Sequence, residues 1–170
     1  MSAALMDRAV RIQDGDSFSR LIEPLLDPAY RLAAVMLNDR QAAEDAVQEA
    51  AIKAWRKVRQ LRDAGAVRPW FLAIVANECR MSRRIRWWSV LKFGEVSTRP
   101  EEAESYTDLH RALLRLTPDE RLPVILHFYL DLPLDEVARA MRVSPAAAKS
   151  RIYRAAKRLR ADLTVEDVIR

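Results

Sequence analysis

The sequence is poor in the residues that build disulfides, metal sites and tight turns. Its single cysteine, Cys79, excludes an internal disulfide and is typical of a protein from a reducing compartment. Because the whole sequence contains only 2 histidines in addition to that cysteine, we expect no zinc site. The sequence indicates no other cofactor. Only 3 glycines and few β-branched runs, against abundant Ala, Leu and Arg, predict an all-α protein.

Long apolar runs are also missing. No uninterrupted segment approaches the roughly 20 apolar residues that a membrane-spanning helix needs, so we expect no membrane insertion. The N-terminal residues lack the long apolar core of a secretory signal. We therefore expect a cytoplasmic protein.

Basic residues are in excess and lie in two blocks. The net charge is +5, and the segments Arg80–Lys92 and Arg139–Arg160 contain lysine and arginine but no acid. The segment between them, Pro100–Asp108, contains acids but no base. One such run usually marks a solvated helix face, whereas two runs on separate helices indicate two contacts with nucleic acid. The predicted division is two small helical domains, residues 15–90 and 107–165, joined by a flexible linker at 91–106.

Apolar spacing predicts the helices of the first domain. Residues 41–61 show the clearest period, with apolar side chains at every third or fourth position. Nearer the N-terminus, Pro24 and Pro28 should interrupt the helical pattern, because proline removes a backbone donor. We therefore expect a short segment at 18–26 and a separate helix at 30–37.

In the second domain, Thr117 and the three residues after it form a capping box that should start a helix. Pro123 lies inside this helix and should bend it. Tyr129 is expected on the core face, together with Leu122 and Ile125.

Residues 134–160 have the pattern of a helix-turn-helix, with Ser144 as the cap of the second helix and Pro145 in its first turn. Arginine can bridge two acceptors on a guanine edge, and lysine or serine can hold phosphates. The alternative is an amphipathic hairpin whose basic face is merely solvated. The predicted exposed face of the second helix carries Lys149, Ser150, Tyr153, Arg154, Lys157 and Arg158.

Two further blocks of the chain have a recognisable pattern. The first comprises Ala43-Glu-Asp-Ala-Val-Gln-Glu-Ala-Ala-Ile-Lys-Ala-Trp55 and Arg68-Pro-Trp-Phe-Leu-Ala-Ile-Val-Ala-Asn-Glu-Cys-Arg80. The second runs from Leu113-Leu-Arg-Leu-Thr-Pro-Asp-Glu-Arg121 to the basic helix. Together these blocks resemble the bacterial sigma factors of RNA polymerase, specifically the small extracytoplasmic-function class; the first block is similar to region two of that family, and the second is similar to region four.

The resemblance implies a role for each set of residues. Binding of core RNA polymerase, through its β′ and β subunits, is implied for Asp45, Gln48, Glu49, Lys53 and Trp55. Trp55 could instead be a core anchor. Reading of the unpaired minus-10 element is implied for Asn77, with Arg80, Arg83 and Arg84 holding the single strand and the 59–67 loop forming the pocket for an extruded base. Reading of the minus-35 duplex is implied for Lys149, Ser150, Tyr153, Arg154 and Arg158. An anti-sigma partner is common in the family.

Two of the chain's three departures from the family pattern concern single positions; the third is that the recognition helix opens Ala146-Ala-Ala rather than with the commoner Gly-Thr-Val. Arg142 stands where a turn glycine is common, and must tolerate an unusual backbone angle or shift the turn. Pro133 stands where a serine or threonine usually caps the helix before Glu136. All three departures concern the fine geometry of minus-35 reading.

Two other functions compete with a sigma factor, which would have no catalysis of its own. A helix-turn-helix regulator that works without polymerase would explain residues 134–160, but not Asn77 or the acidic face of residues 44–49. A metal-dependent nuclease would use Glu44, Asp45 and Glu49.

Overall fold

The structure, a computed structural model, describes residues 15–61, 63–93 and 108–169, without the side chains of 64, 85–93, 108, 110 and 162–169. Within these ranges the chain forms seven α-helices and no strand, which confirms the all-α prediction. The predicted linker, apart from 91–93, and the Trp87–Trp88 side chains lie outside the described residues. The helices are α1 (Gly15–Leu37), α2 (Arg40–Lys57), α3 (Val67–Phe93), α4 (Asp108–Arg115), α5 (Pro118–Val124), α6 (Leu134–Met141) and α7 (Pro145–Ile169).

The predicted break in the first helix is wrong. α1 runs without interruption through Pro24 and Pro28. The two prolines are four residues apart on one side of the helix, where Pro24 is exposed and Pro28 is half-buried. A stripe of buried side chains packs the helix against the rest of the bundle: Ile22, Ala29, Leu32, Ala33 and Met36.

Helices α1, α2 and α3 pack against one another as a three-helix bundle. α2 begins at the cap Asp39, whose carboxylate accepts from the Ala42 N–H at 2.9 Å. Of the stripe predicted over 41–61, Ala43, Ala50, Ala54 and Val58 are buried, whereas Val47 and Leu61 are half-buried and the helix ends at Lys57. Ala46 is also buried, so the buried face of α2 consists of alanines and the neighbouring helices can approach closely. This face packs in one core with Phe71, Leu72 and Val75 of α3.

The second bundle contains α4 to α7. The capping box at Thr117 is confirmed: the Thr117 hydroxyl accepts from the Glu120 N–H, and the Glu120 carboxylate accepts from the Thr117 N–H at 2.9 Å. After Pro123 the helix widens into a π-helical turn at Ile125–Tyr129. The wider turn changes the angular spacing of its residues, and Tyr129, its last residue, is 55% exposed although it was expected in the core.

The helix-turn-helix consists of α6 and α7. Arg142 ends α6 in the left-handed conformation, with φ 55° and ψ 46°, so arginine adopts here the backbone that glycine usually supplies. Pro133 provides no side-chain cap to α6, and within the described residues Glu136 Oε2 is buried without a hydrogen-bond partner. Ser144 caps α7 as predicted, because its Oγ accepts from the Ala147 N–H at 3.2 Å.

The two bundles are packed together. α6 contacts α3, α1 contacts α4 and α5, and a single hydrophobic core contains buried residues of both bundles. The sequence predicts two modules on a loose tether and gives no sign of this contact. The buried residues of the second bundle that belong to the shared core are Leu122, Ile125, Leu126, Leu130, Leu132, Val137, Ala138, Ala140, Met141, Ala148 and Ile152.

Candidate nucleic-acid and partner interfaces

The outer face of α2 carries an exposed polar surface. Asp45, Gln48 and Glu49 are all exposed on the side opposite the alanine stripe. Gln41 donates to the Asp45 carboxylate at 3.1 Å, which orients that side chain along the helix. Among the described residues, no group of three histidine, cysteine or acidic side chains is close enough to hold a metal ion.

Lys53 and Trp55, predicted for the same surface, have contacts within the bundle. Lys53 Nζ lies 2.5 Å from Glu78 Oε2, and Glu78 is only 7% exposed. Lys53 therefore neutralises a buried carboxylate of α3 and joins α2 to α3. Trp55 is 43% exposed and its ring meets Phe18 edge-on, with centroids 5.1 Å apart, so it is neither fully buried nor free of packing.

Sequence reasoning did not identify Glu78. It falls at core spacing after Phe71 and Val75, so an acid at that position indicates a buried carboxylate that requires a cation. Its neighbour Cys79 is fully buried, and this burial raises the pKa of the thiol to about 12. Cys79 is therefore a packing residue that stays protonated at neutral pH.

The first predicted DNA surface lies on α3. Asn77, Arg83 and Arg84 are exposed there, as a contact with nucleic acid requires. Arg80 is different, because its Nη2 lies 3.2 Å from Asp119 Oδ1 in the second bundle.

A small cavity lies at the C-terminal end of α2, beside the loop predicted to hold an extruded base. Its volume is about 190 Å³, and a tryptophan and two arginines are among the residues that line it. Guanidinium and aromatic groups are the usual platform for an unstacked base. The lining residues are Trp55, Arg56, Val58 and Arg59.

The second predicted DNA surface lies on α7. Ala148, Ile152 and Ala155 bury one stripe of this helix, which turns the basic face outward. Tyr153 is 71% exposed. The other members of the predicted set are also exposed: Lys149, Ser150, Arg154 and Arg158.

Arg158 nevertheless has a partner within the second bundle. Its Nη1 lies 3.0 Å and 3.2 Å from the two carboxylate oxygens of Glu120. The pKa of Glu120 is lowered, first by the hydrogen bonds from the backbone and hydroxyl of Thr117 and then by Arg158. The capping box and the predicted minus-35 surface therefore share one carboxylate.

Arg121 is a buried cation that sequence reasoning missed. It is 5% exposed, and its guanidinium donates to five backbone carbonyl oxygens at 2.8–3.2 Å. Burial lowers its pKa to about 10, with the charge of Arg83 adding to the effect, so it remains protonated at neutral pH. No spacing rule identifies such a residue, because arginine beside a capping box is normally exposed. The acceptors are Leu113, Leu114 and Leu116 in the second bundle, and Val35 and Met36 at the end of α1.

An apolar groove lies where the second bundle meets α1. Its volume is about 350 Å³, and its lining includes Val35 of α1 together with the exposed side chains of Leu109, Phe128 and Tyr129. The guanidinium of Arg31 lies over the Tyr129 ring, 6.0 Å from its centroid.

None of the described helices is both long and apolar enough to cross a bilayer.

Comparison with known proteins decides the family. Residues 21–89 match the family Sigma-70 region 2, and residues 106–159 match the family Sigma-70, region 4. RNA polymerase sigma factor SigV of Bacillus subtilis is 33% identical over 143 residues, covering 82% of this chain and 86% of that protein. The chain belongs to the sigma-70 family of RNA polymerase sigma factors.

Further similarities identify the class and the fold of this sigma factor. ECF RNA polymerase sigma factor SigM of Mycobacterium tuberculosis is 29% identical over 86% of this chain and 76% of that protein. The solved structure of the sigma factor RpoE in complex with the anti-sigma factor NepR from Bartonella quintana superposes with a TM-score of 0.74. That likeness covers 88% of this chain and 98% of the other, at 25% identity. This sigma factor is of the extracytoplasmic-function class; α1–α3 form its region 2 and α4–α7 its region 4.

Proposed function

We propose that this sigma factor uses three separate surfaces in transcription initiation. The exposed face of α2 binds the β′ subunit of core RNA polymerase, α3 holds the minus-10 element, and α7 reads the minus-35 element. The observation that carries this proposal is that one chain presents a helix with an exposed acidic face and an exposed basic helix-turn-helix on different bundles. The protein has no catalysis of its own and works in the cytoplasm, where polymerase and promoter DNA are found.

In region 2, Asp45, Gln48 and Glu49 supply the polymerase contact. Lys53 supports that contact indirectly, because its pairing with Glu78 fixes α2 against α3. Next to this joint, the exposed amide of Asn77 can donate and accept together, so it can pair with the edge of an unstacked base. The 190 Å³ cavity at the end of α2 is large enough for one planar base.

The DNA-holding role of region 2 belongs mainly to its arginines. Arg83 and Arg84 are exposed and can hold the single-stranded backbone as they stand. Arg80 becomes available to the same strand once it leaves Asp119. Trp55 contributes to the polymerase contact through its exposed edge or, because it also lines the cavity, through a base.

In region 4, Lys149 and Ser150 lie in the second turn of α7, where side chains can approach the phosphates or the base edges of a major groove. Tyr153 can lie against a thymine methyl, and Arg154 can bridge two acceptors of a guanine. Arg158 extends this face at the next turn and reaches the phosphate backbone after leaving Glu120.

Binding and opening assays on matched variants test the proposal. Gln48→Ala should weaken binding to core polymerase, whereas Glu23→Ala, an exposed acid of α1, should leave it unchanged. Asn77→Ala should bind polymerase normally but open promoters poorly, as measured by permanganate reactivity of unpaired thymines. Normal opening by Asn77→Ala, or equal effects of the Gln48 and Glu23 variants, would refute these assignments.

The proposal includes an anti-sigma partner, because the sigma factor in the solved structure described above is bound to NepR. A protein that co-purifies with the tagged chain should, once purified, suppress run-off transcription by this chain and core polymerase. If every co-purifying protein leaves transcription unchanged, this part of the proposal is wrong.

A further inference from the structure

We propose that Met81 is an oxidation site on the minus-10 surface of this sigma factor. Hydrogen peroxide converts the exposed thioether of Met81 to a sulfoxide, and the sulfoxide weakens promoter opening. This inference rests on the proposed function, because it concerns the same face of α3. It gives that face a chemical sensitivity that its asparagine and arginines do not have.

Exposure distinguishes Met81 from the other methionines whose side chains the structure describes. Met81 is 43% exposed, whereas Met36 and Met141 are 1% and 6% exposed. The two buried side chains pack in the hydrophobic core, so an oxidant reaches them only when the fold opens. Met1 and Met6 lie outside the described residues. Among the described methionines, a peroxide in solution therefore reacts first with Met81.

A thiol lies two residues away but does not compete for the oxidant. Cys79 is fully buried, and the raised pKa of its thiol keeps it protonated at neutral pH. The thiolate is the form of cysteine that reacts with peroxides, and it also needs access to solvent. Oxidation of the folded protein is therefore directed to the thioether of Met81.

The position of Met81 on α3 places it among the residues proposed to hold the minus-10 strand. Side chains three, four and seven residues apart lie on one face of a helix, so Asn77, Met81 and Arg84 are neighbours on the exposed side of α3. The core side of α3 is filled by other residues, including Val75 and Cys79. Met81 is thus an apolar side chain on a polar and basic face.

An apolar side chain at this place suits an unpaired base. Methionine is one of the side chains that DNA-binding proteins place against unstacked bases. Its flexible thioether can pack on the flat face of a base while the amide of Asn77 pairs with the edge of that base. Met81 therefore supplies the apolar part of a contact whose polar part comes from Asn77.

Oxidation reverses the character of this side chain. A lone pair of the sulfur attacks one oxygen of hydrogen peroxide, the O–O bond breaks, and the other oxygen leaves as water. The sulfur loses two electrons and the peroxide gains them. The new S–O group accepts hydrogen bonds, so it favours water over the face of a base, and it can accept from the guanidinium of Arg84 one turn away. Both effects weaken the hold of α3 on the strand.

Peroxide treatment of the folded protein tests this inference. Cleavage after glutamate gives a peptide of residues 79–95, and fragmentation of that peptide locates the added oxygen. We expect the oxygen on Met81 and not on Cys79. After the peroxide is removed with catalase, promoter opening with core polymerase should be at least about fivefold lower by permanganate reactivity, because one base contact is lost. Polymerase binding should be unchanged, and a methionine sulfoxide reductase should restore opening.

Three variants separate Met81 from the rest of the protein. Met81→Leu keeps an apolar side chain of similar volume but has no sulfur, so its level of opening should be the same before and after peroxide. Met81→Gln places a polar group on a side chain of similar length, and it should open promoters poorly without any peroxide. Leu26→Gln makes a comparable apolar-to-polar change on α1, where Leu26 is 40% exposed, and it should open promoters normally.

The outcomes distinguish this inference from the proposed function. If the untreated wild type does not open promoters, the proposed function is wrong, and this inference fails with it. If the untreated protein opens promoters and oxidation of Met81 leaves opening unchanged, this inference alone is wrong. Equal inhibition of Met81→Leu and the wild type by peroxide, or an equal loss in Met81→Gln and Leu26→Gln, would also overturn it.

Discussion

The basic face of α7 and the junction between regions 2 and 4 use arginine in opposite ways. On α7, Lys149 and Arg154 are exposed because the apolar stripe of the helix turns them outward, and Arg154 donates to the Ser150 carbonyl of its own helix at 3.4 Å. At the junction, Arg68, Arg80 and Arg121 are bound to carbonyl or carboxylate oxygens of the chain itself. The net charge therefore overestimates how many basic side chains are free to bind DNA, because some of the arginines hold the protein together.

Among the variants that test this difference, Arg121→Ala should have the largest effect. It leaves five carbonyl oxygens without their donor, two of them at the end of α1. We expect the free energy of unfolding to fall by about 3–5 kcal/mol in chemical denaturation. Arg139→Ala, an exposed arginine on α6, should change it by less than about 0.5 kcal/mol. Similar losses in both variants would mean that the buried hydrogen bonds of Arg121 do not stabilise the fold more than an exposed arginine does.

On the α7 side, Arg154→Ala should give the opposite result. Because the side chain is exposed, stability should change by less than about 0.5 kcal/mol. Binding should lose about 1–3 kcal/mol at one base pair of the minus-35 element, with relaxed preference there. Competition binding over all substitutions of that element measures this, and an unchanged base preference would contradict the assignment.

Lys149→Ala sharpens the contrast within α7. As a phosphate contact, it should weaken binding to all sequences alike and reduce the slope of log K against log salt by about one. Titrations at several salt concentrations on matched and scrambled duplexes give that slope. A loss confined to one sequence would instead make Lys149 a base-reading residue.

Arg142→Gly tests whether arginine at the turn is strained. Glycine adopts the left-handed conformation without a steric penalty, so this variant should gain about 0.5–1 kcal/mol of stability. Arg139→Gly, in the regular part of α6, should lose about 1 kcal/mol. Thermal unfolding of both variants measures the effects, and a loss in both would show that Arg142 makes a contact worth more than its strain.

The smallest expected effect concerns Glu120, which serves both the capping box and Arg158. The pKa of Glu120 in the folded protein is below its ordinary value of 4.5, so the charged carboxylate stabilises the folded state above pH 4.5. This stabilisation is lost as the pH falls through the folded pKa. The stability difference between the wild type and Glu120→Gln should therefore shrink in acid. A difference that is constant from pH 7 to pH 3 would contradict this.

Local patterns predicted the parts of the fold that depend on neighbouring residues. The alanine stripe of α2, the Thr117 capping box and the Ser144 cap were all readable, because each depends on residues within one or two turns. The continuity of α1 through Pro24 and Pro28 was not, because tertiary packing outweighs two missing hydrogen bonds.

The missed features of the site depend on contacts between distant segments. Lys53 reads as a surface cation until Glu78, 25 residues away, is found buried beside it. The sequence predicts an exposed Arg121, because its carbonyl partners on α1 are far away in the chain. The exposure of Tyr129 follows from a π-helical turn, which the spacing of apolar residues does not predict. Such contacts leave no periodic signal, so only the structure reveals them.

Run-off transcription with core polymerase on a promoter library tests the central claim most directly. We predict that adding this sigma factor directs initiation to templates that share two elements, one near minus-10 and one near minus-35. We also predict that Asn77→Ala reduces initiation without reducing polymerase binding. If initiation by core polymerase is the same with and without the protein on every template, the account is wrong.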